Sequence, residues 1–411
     1  MNRLSHNGVS VTYSILLLLL LLTDIPLHTA QVQDNSSRFS HRLAIFSTNV
    51  YTKLVTQNPN QNIIFSPLSI QSCAAMTRMG ARGETAAQLD RGLALISNNE
   101  AQIADSFHKV LAAYDKSSYI HIASKIYIKD GYHLRDEFTS IISKQFLSAT
   151  EPIDFTKNIR AAGKINSWVE QRTNNLIRDL VPPSELDNNT HMVLINAVHF
   201  KGIWVHQFTK KTKKEPFYLN NAKSIKVPMM NLRERLRYAE LRDLDATALE
   251  LPYNNSDLSM LIVLPNSNNG LPQLERKLRS TPLSQITRAL NSEEVIVKLP
   301  KFKSEFKVEL TESFKQLGMT NMFSNNADFS RMIKSQYGLK VSKFIHRAFI
   351  DVNERGAQAT GSNAIKIDFR AFIPMILRAA QQIQFYANHP FNYYIINNQG
   401  IVLFAGKLLK P

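Results

Sequence analysis

Residues 191–200, His-Met-Val-Leu-Ile-Asn-Ala-Val-His-Phe, form a run dense in β-branched and aromatic side chains, the composition of a strand. Upstream of it, apolar residues are spaced as in helices. Phe39, Leu43, Phe46, Val50 and Leu54 recur three and four apart; Ile70–Met79 is short and Ala-rich; Glu84–Leu95 resembles a further helix. Asn166, ahead of Ser167-Trp168-Val169, reads as the cap of another. Downstream the signals are strands: Ala248–Leu251, Leu258–Leu264, Glu294–Leu299, and two apolar runs within Phe391–Leu409 around the turn Asn397-Asn398-Gln399-Gly400. Helices first and strands later predict an α+β fold rather than alternating βα units.

With 44% hydrophobic and 20% charged residues and only 14 Gly, the chain is globular rather than disordered or collagen-like. At about 150 residues per domain, 411 residues would suggest two or three domains, yet no Pro/Ser/Gly-rich linker divides residues 31–411. Residues 1–30 read as a secretory signal peptide. Arg3 supplies the positive start, Ile15–Leu22 the apolar core, and cleavage after Ala30 is expected, with His28 an imperfect residue three before the cut. Asp24 and Pro26 stop the apolar run short of the ~20 residues that span a bilayer. The mature chain is therefore expected to be secreted, and Asn35, Asn188 and Asn254, each in an Asn-x-Ser/Thr sequon, become expected glycosylation sites. The one cysteine, Cys73, excludes an internal disulfide framework and reads as a buried small apolar residue.

Catalytic signatures are missing. No Gly-x-Ser-x-Gly elbow and no His-Glu-x-x-His helix occur. Gly400 to Gly406-Lys407 has the wrong spacing for a phosphate loop, and Gly80-Ala81-Arg82-Gly83 is too short for a dinucleotide fingerprint. The eleven histidines form no ligand-spaced pairs, so neither a metal nor an enzymatic role is expected.

A series of short motifs runs in order along the rest of the chain. It begins with Asn62-Ile63-Ile64-Phe65-Ser66-Pro67-Leu68-Ser69-Ile70 and Gly80-Ala81-Arg82-Gly83-Glu84-Thr85. Asn196-Ala197-Val198-His199-Phe200-Lys201-Gly202-Ile203-Trp204, Leu249-Glu250-Leu251-Pro252-Tyr253 and Phe349-Ile350-Asp351-Val352-Asn353-Glu354 follow. His389-Pro390-Phe391 and Leu403-Phe404-Ala405-Gly406-Lys407 close it. The series resembles the serpins from about Phe39 to Pro411. The resemblance implies a single domain over residues 31–411, with three β-sheets, eight or nine helices and an exposed reactive-centre loop at about 354–384. It implies a decoy substrate: a protease cleaves the loop, and the freed arm inserts into the main sheet before the acyl-enzyme hydrolyses.

The same resemblance places Ser66, Ser69, Asn196 and His346 in a polar cluster that controls opening of the main sheet, and Trp204 where insertion begins. Hydroxyls, an amide and an imidazole can form a buried network that exchanges partners when strands separate. The loop hinge is Glu354-Arg355-Gly356-Ala357-Gln358-Ala359. In an inserted strand one parity gives Ala357, Ala359, Gly361, Asn363, Ile365 and Ile367; the other gives Gln358, Thr360, Ser362, Ala364, Lys366 and Asp368. That is the pattern of a half-buried strand, broken at Asn363. Inhibitory members usually carry a second acid where Arg355 stands, Thr or Ser where Ala357 stands, and an Ala-rich stretch in place of Thr360-Gly361-Ser362-Asn363. A non-inhibitory binding, carrier or storage role therefore stays open as the alternative to inhibition.

Counted from the hinge, the arm ends at Arg370, so Arg370-Ala371 is the expected scissile bond and a trypsin-like serine protease the expected partner. Arg378-Ala379 is the runner-up, because the stretch from Ala371 to Pro390 is longer than usual and counting back from Phe385 lands near Ile376, between the two. The formal charge of +16, unchanged by loss of Arg3 and Asp24 with the signal, favours polyanionic neighbours. Lys210, Lys211, Lys213 and Lys214 form a run, Arg233, Arg235 and Arg237 alternate, and Arg276, Lys277 and Arg279 cluster. Glycosaminoglycan binding is not supported at the usual helix, since Ala101–Lys116 carries only Lys109 and Lys116 against Asp105 and Asp115. No cofactor, nucleic acid or membrane partner is expected, and the chain is expected to be a monomer.

Overall fold

In the computed structural model, residues 37–334, 338–356 and 382–411 are described, and two hydrogen-bonded sheets organise them. The first has five strands in the spatial order Phe302–Glu309, Lys343–Val352, Met192–Phe200, Ile120–Lys129 and Ala149–Ile153. Every residue of Met192–Phe200 is buried, because both faces of the sheet are covered; hence its apolar run does not alternate. Val193, Ile195 and Ala197, with Ile345 of the neighbouring strand, face a small core formed with Ala161, Ile165 and Val169 of the helix Asn158–Arg172. Leu194 and Val198, with Phe344 and Ala348, face the main core instead. Asn196 shares the parity of that second set.

Two of the three expected sheets are joined into one ladder by Ser224–Leu241, a strand of 18 residues. One end pairs with Lys213–Tyr218, the other with Ala246–Pro252, and its middle with Asn291–Pro300. Its alternating Arg233, Arg235 and Arg237 are the exposed side of a strand whose Leu232, Leu236 and Tyr238 are buried. Phe391–Asn397 and Val402–Leu408 form a hairpin with every residue buried in the other half of this ladder. Around the sheets lie nine α-helices among the described residues, beginning with one through residues 37–57.

Two expectations from local pattern are corrected. The first half is not only helical, since Ile120–Lys129 is a full strand of the five-stranded sheet. Asn166 does not cap a helix; it lies inside Asn158–Arg172, where its amide clamps the backbone of Val181, donating to its carbonyl (2.9 Å) and accepting from its N–H (2.8 Å).

Pro67–Gly80 is the helix beneath the five-stranded sheet. Ser66 caps it, its Oγ accepting from Ser69 N (3.2 Å), with Pro67 in the first turn, where a missing N–H costs nothing. At the other end, buried Arg78 grips Asp90 with both arms of its guanidinium (2.6 and 3.1 Å) and reaches the Asn98 carbonyl. Asp90→Ala leaves that buried guanidinium with the longer Glu100 contact (3.3 Å) and the Asn98 carbonyl, and is expected to cost about 1.5–3 kcal/mol, read as a lower urea midpoint for unfolding.

Candidate functional site

At the centre of the five-stranded sheet, Met192–Phe200 and Lys343–Val352 run parallel and pair directly from Val193↔Lys343 to Phe200↔Ile350. Their outer neighbours, Ile120–Lys129 and Phe302–Glu309, are antiparallel to them. A segment that turned back after Val352 and entered between the two would be antiparallel to both, converting one parallel ladder into two antiparallel ones, which are slightly more stable per residue.

The polar cluster sits across this seam. Asn196 and His346 are register partners, and His346 Nδ1 lies 2.6 Å from Asn196 Oδ1. His346 Nε2 accepts from the backbone N–H of Ser66 (3.3 Å), so the imidazole carries its proton on Nδ1 and donates it to Asn196. The Asn196 amide nitrogen donates to Ser69 Oγ and to Ser124 Oγ (2.7 Å). One side chain thereby ties three strands to the helix cap. Asn196, His346 and Ser69 are fully buried, and burial holds the imidazole's pKa down to about 3.

Above the seam the chain leaves Val352 through a tight turn. Gly356 N donates to Asn353 O (3.0 Å), and Arg355 N to Asn353 Oδ1 (3.1 Å). Trp204 clamps that turn from the side: its Nε1 donates to Asn353 O (2.9 Å) and its backbone N–H to Arg355 O (3.0 Å). The indole is buried and stacks on Tyr253, with ring centroids 4.3 Å apart. Phe208 N donates to Glu354 O (3.0 Å), while the Glu354 carboxylate accepts from Thr212 Oγ1 (2.7 Å) and Lys301 Nζ (3.0 Å). Burial alone would raise the pKa of Glu354; those donors keep it below the ordinary carboxylate value. Gly356 has φ +113°, and a Cβ there would lie 2.3 Å from Gly202 O and 2.6 Å from Ile203 Cα, so only glycine fits this close approach.

A central parallel pair of strands, a polar cluster bonded across that pair and a turn held by Trp204 at its end lie together. The family model of the Serpin (serine protease inhibitor) family matches residues 41–411. The chain belongs to the serpin family. Serine protease inhibitor 42Dd of Drosophila melanogaster is 34% identical over 369 residues, 89% of this chain and 95% of the fly protein. The solved structure of cleaved Serpin 42Da is 51% identical with a TM-score of 0.83, over 92% of this chain and 99% of that one. Uncleaved ovalbumin is 29% identical with a TM-score of 0.80, over 90% and 100% of the two chains.

In this serpin Ser66, Ser69, Asn196 and His346 meet as expected, and Trp204 holds the start of the hinge. Of the hinge, Glu354, Arg355 and Gly356 are described. Ala357, Gln358 and Ala359, the pairs Arg370-Ala371 and Arg378-Ala379, and Asn35 lie outside the described residues. Asn188 and Asn254 stand exposed on connecting segments. Cys73 is buried, and burial pushes its thiol pKa up. Of the basic groups, Lys210, Lys211, Lys213 and Lys214 are exposed, whereas Arg233 and Arg237 pair with Glu294 and Glu250. In the helix Glu100–Tyr114, Lys109 pairs with Asp105 (2.7 Å). Sequence reading missed Ser124, which joins the cluster only because strand register sets it opposite Asn196, and Thr212 and Lys301, which hold Glu354.

Protonating His346 would place a second donor against the Ser66 N–H. Its pKa is about 3 folded and about 6.5 in an unfolded chain, so between those values the unfolded state binds the extra proton. This contribution to stability is complete above about pH 6.5 and is lost as pH falls toward 3, at up to ~1.4 kcal/mol per pH unit. Denaturant unfolding from pH 7 to 4 should show this acid loss, and His346→Gln should flatten it.

Proposed function

We propose that this serpin is a secreted suicide-substrate inhibitor of a trypsin-like serine protease, with residues 1–30 as its signal peptide and residues 354–384 as its reactive-centre loop. The direct parallel pairing of Met192–Phe200 with Lys343–Val352 carries this reading, because parting it would admit one strand antiparallel to both, which the following segment can supply. Arg370 would seat in a specificity pocket bearing a carboxylate. The protease serine Oγ attacks the Arg370 carbonyl carbon, the peptide bond to Ala371 breaks, and the new amine of Ala371 leaves with a proton from the catalytic histidine. An ester then joins the protease to Arg370.

Cleavage frees the arm 354–370. As it enters the seam, the Trp204 clamp on residues 353–355 lets go and the Asn196–His346 bond gives way to new partners. Ala357, Ala359 and Gly361 go in first and need little space. Ile365 and Ile367 follow, each contributing roughly 1.5–3 kcal/mol by burial. Asn363, on the buried parity, costs about 1–3 kcal/mol if it finds no partner. The tethered protease is carried along, its active site is distorted, and the ester is left unhydrolysed.

The alternative, a non-inhibitory binding, carrier or storage serpin, is favoured by Arg355, Ala357 and Asn363. Mixing with trypsin and separating on denaturing gels distinguishes the two. Inhibition predicts a complex that survives denaturation, with mass spectrometry placing the cut after Arg370, loss of the complex in Arg370→Ala, and a larger trapped fraction in Asn363→Ala. Clean cleavage with no covalent complex would establish the alternative, and a complex cut after Arg378 would move the reactive bond to the runner-up.

A further inference from the structure

The histidines show no ligand spacing along the chain, yet strand register brings two of them together. His121, on Ile120–Lys129, and His199, on Met192–Phe200, are direct partners in an antiparallel ladder. Residues so opposed share a face of the sheet, with Cβ atoms about 4.5–5.5 Å apart. The two imidazoles lie parallel, their planes 2° apart and their centroids separated by 6.1 Å. Phe349, the register partner of His199 on Lys343–Val352, ends the row, its ring centroid 5.5 Å from that of His199. The row shares the face of Val193, Ile195 and Ala197, the one opposite to the Asn196–His346 cluster.

Both rings keep a nitrogen lone pair available. His199 is buried, and its Nδ1 has no hydrogen-bond partner among the described residues. His121 is half-buried, and its Nε2 accepts from the Asn174 amide (3.0 Å), so that nitrogen carries no proton. Burial, then the charges of Lys201 and Arg172, lower the pKa of His121. Burial, then His121 and Lys201, hold that of His199 down to about 4, against an opposing pull from Asp351, which itself pairs with Lys303 (3.2 Å). At pH 7 both rings are therefore neutral, the form in which imidazole ligates metals.

We propose that His121 and His199 together bind one divalent transition-metal ion, Cu²⁺ in preference to Zn²⁺, with solvent completing its coordination. Metal–imidazole bonds of 2.0–2.1 Å put each ring centroid about 3.2 Å from a shared ion, so the two can stand up to about 6.4 Å apart. The observed 6.1 Å lies within that reach. Rotation about χ2, a broad torsion in histidine, turns the nitrogens toward the ion. Two neutral nitrogen donors suit copper and zinc, whereas calcium and magnesium require oxygen. Lys201 and Arg172 oppose any cation, so the bonds rather than the local field must hold it, which favours copper, the stronger nitrogen binder. The ion staples Ile120–Lys129 to Met192–Phe200 near the end of the sheet where the chain leaves Val352. Both strands lie on one side of the seam, so the staple stiffens that side without crossing the seam.

The test titrates the untagged protein with CuCl₂ and ZnCl₂ by calorimetry and records the electron paramagnetic resonance of the copper form. Saturable binding of Cu²⁺, tighter than that of Zn²⁺, is expected, with spectral coupling to two imidazole nitrogens. Cu²⁺ should also raise the melting temperature. His121→Gln, at a half-buried position, should keep the wild-type circular dichroism, weaken copper binding at least tenfold and abolish the melting shift. His199→Gln should do the same if it folds, and His121→Gln decides alone if it does not. His41→Gln, at an exposed position on the first helix, should change none of these readings. Absence of saturable copper binding, Zn²⁺ bound as tightly as Cu²⁺, or wild-type copper affinity in His121→Gln would overturn the site.

Discussion

The structure turns on the side-chain amide of Asn196. Its oxygen accepts from His346 on one neighbouring strand, and its nitrogen donates to Ser124 on the other and to Ser69 on the helix below. Asn196, His346 and Ser69 are fully buried, where a polar group without a partner costs about 1–3 kcal/mol. In the proposed mechanism the seam between Met192–Phe200 and Lys343–Val352 opens only if these bonds are exchanged for others, which would make the cluster a threshold. Apolar packing at the same point would hold the sheet together without setting a condition for its release. Hydrogen bonds are directional and exchangeable, which is what the proposed opening requires.

Other elements hold the cluster and the turn after Val352 in place. Helix Pro67–Gly80 brings Ser66 and Ser69 to the seam and is itself anchored by Arg78 at its far end. Trp204 and Gly356 fix the turn after Val352 so that the chain leaves the sheet at the mouth of the seam. Glu354, within that turn, is held in addition by Thr212 and Lys301.

Much of this was legible in the sequence, for physical reasons that also explain the gaps. Runs such as Met192–Phe200 and Leu258–Pro265 are buried at every position and mostly apolar because both faces are covered, and they read as strands without help. Ile120–Lys129 did not, because His121, Ser124 and Lys125 interrupt its apolar residues and it lies among helices. The alternation of Arg233, Arg235 and Arg237 read as a charge cluster, although a period of two is the period of a strand. Asn166 misled because a good capping residue is equally good at clamping a distant backbone. The cluster itself joins residues as far apart as Ser66 and His346, 280 positions in sequence, and no local pattern encodes such a meeting. Family resemblance supplied those residues; register supplied Ser124.

The central claim is that the seam parts to admit the chain's own arm. Its most direct test is the melting temperature of the protein before and after a single cut within residues 357–381, with amide hydrogen exchange measured on both forms. Insertion predicts a much higher melting temperature for the cut protein and slower exchange along Val193–Phe200 and Lys343–Ile350, whose amides would gain an antiparallel neighbour. An unchanged or lower melting temperature, with exchange in those strands unaltered, would contradict it.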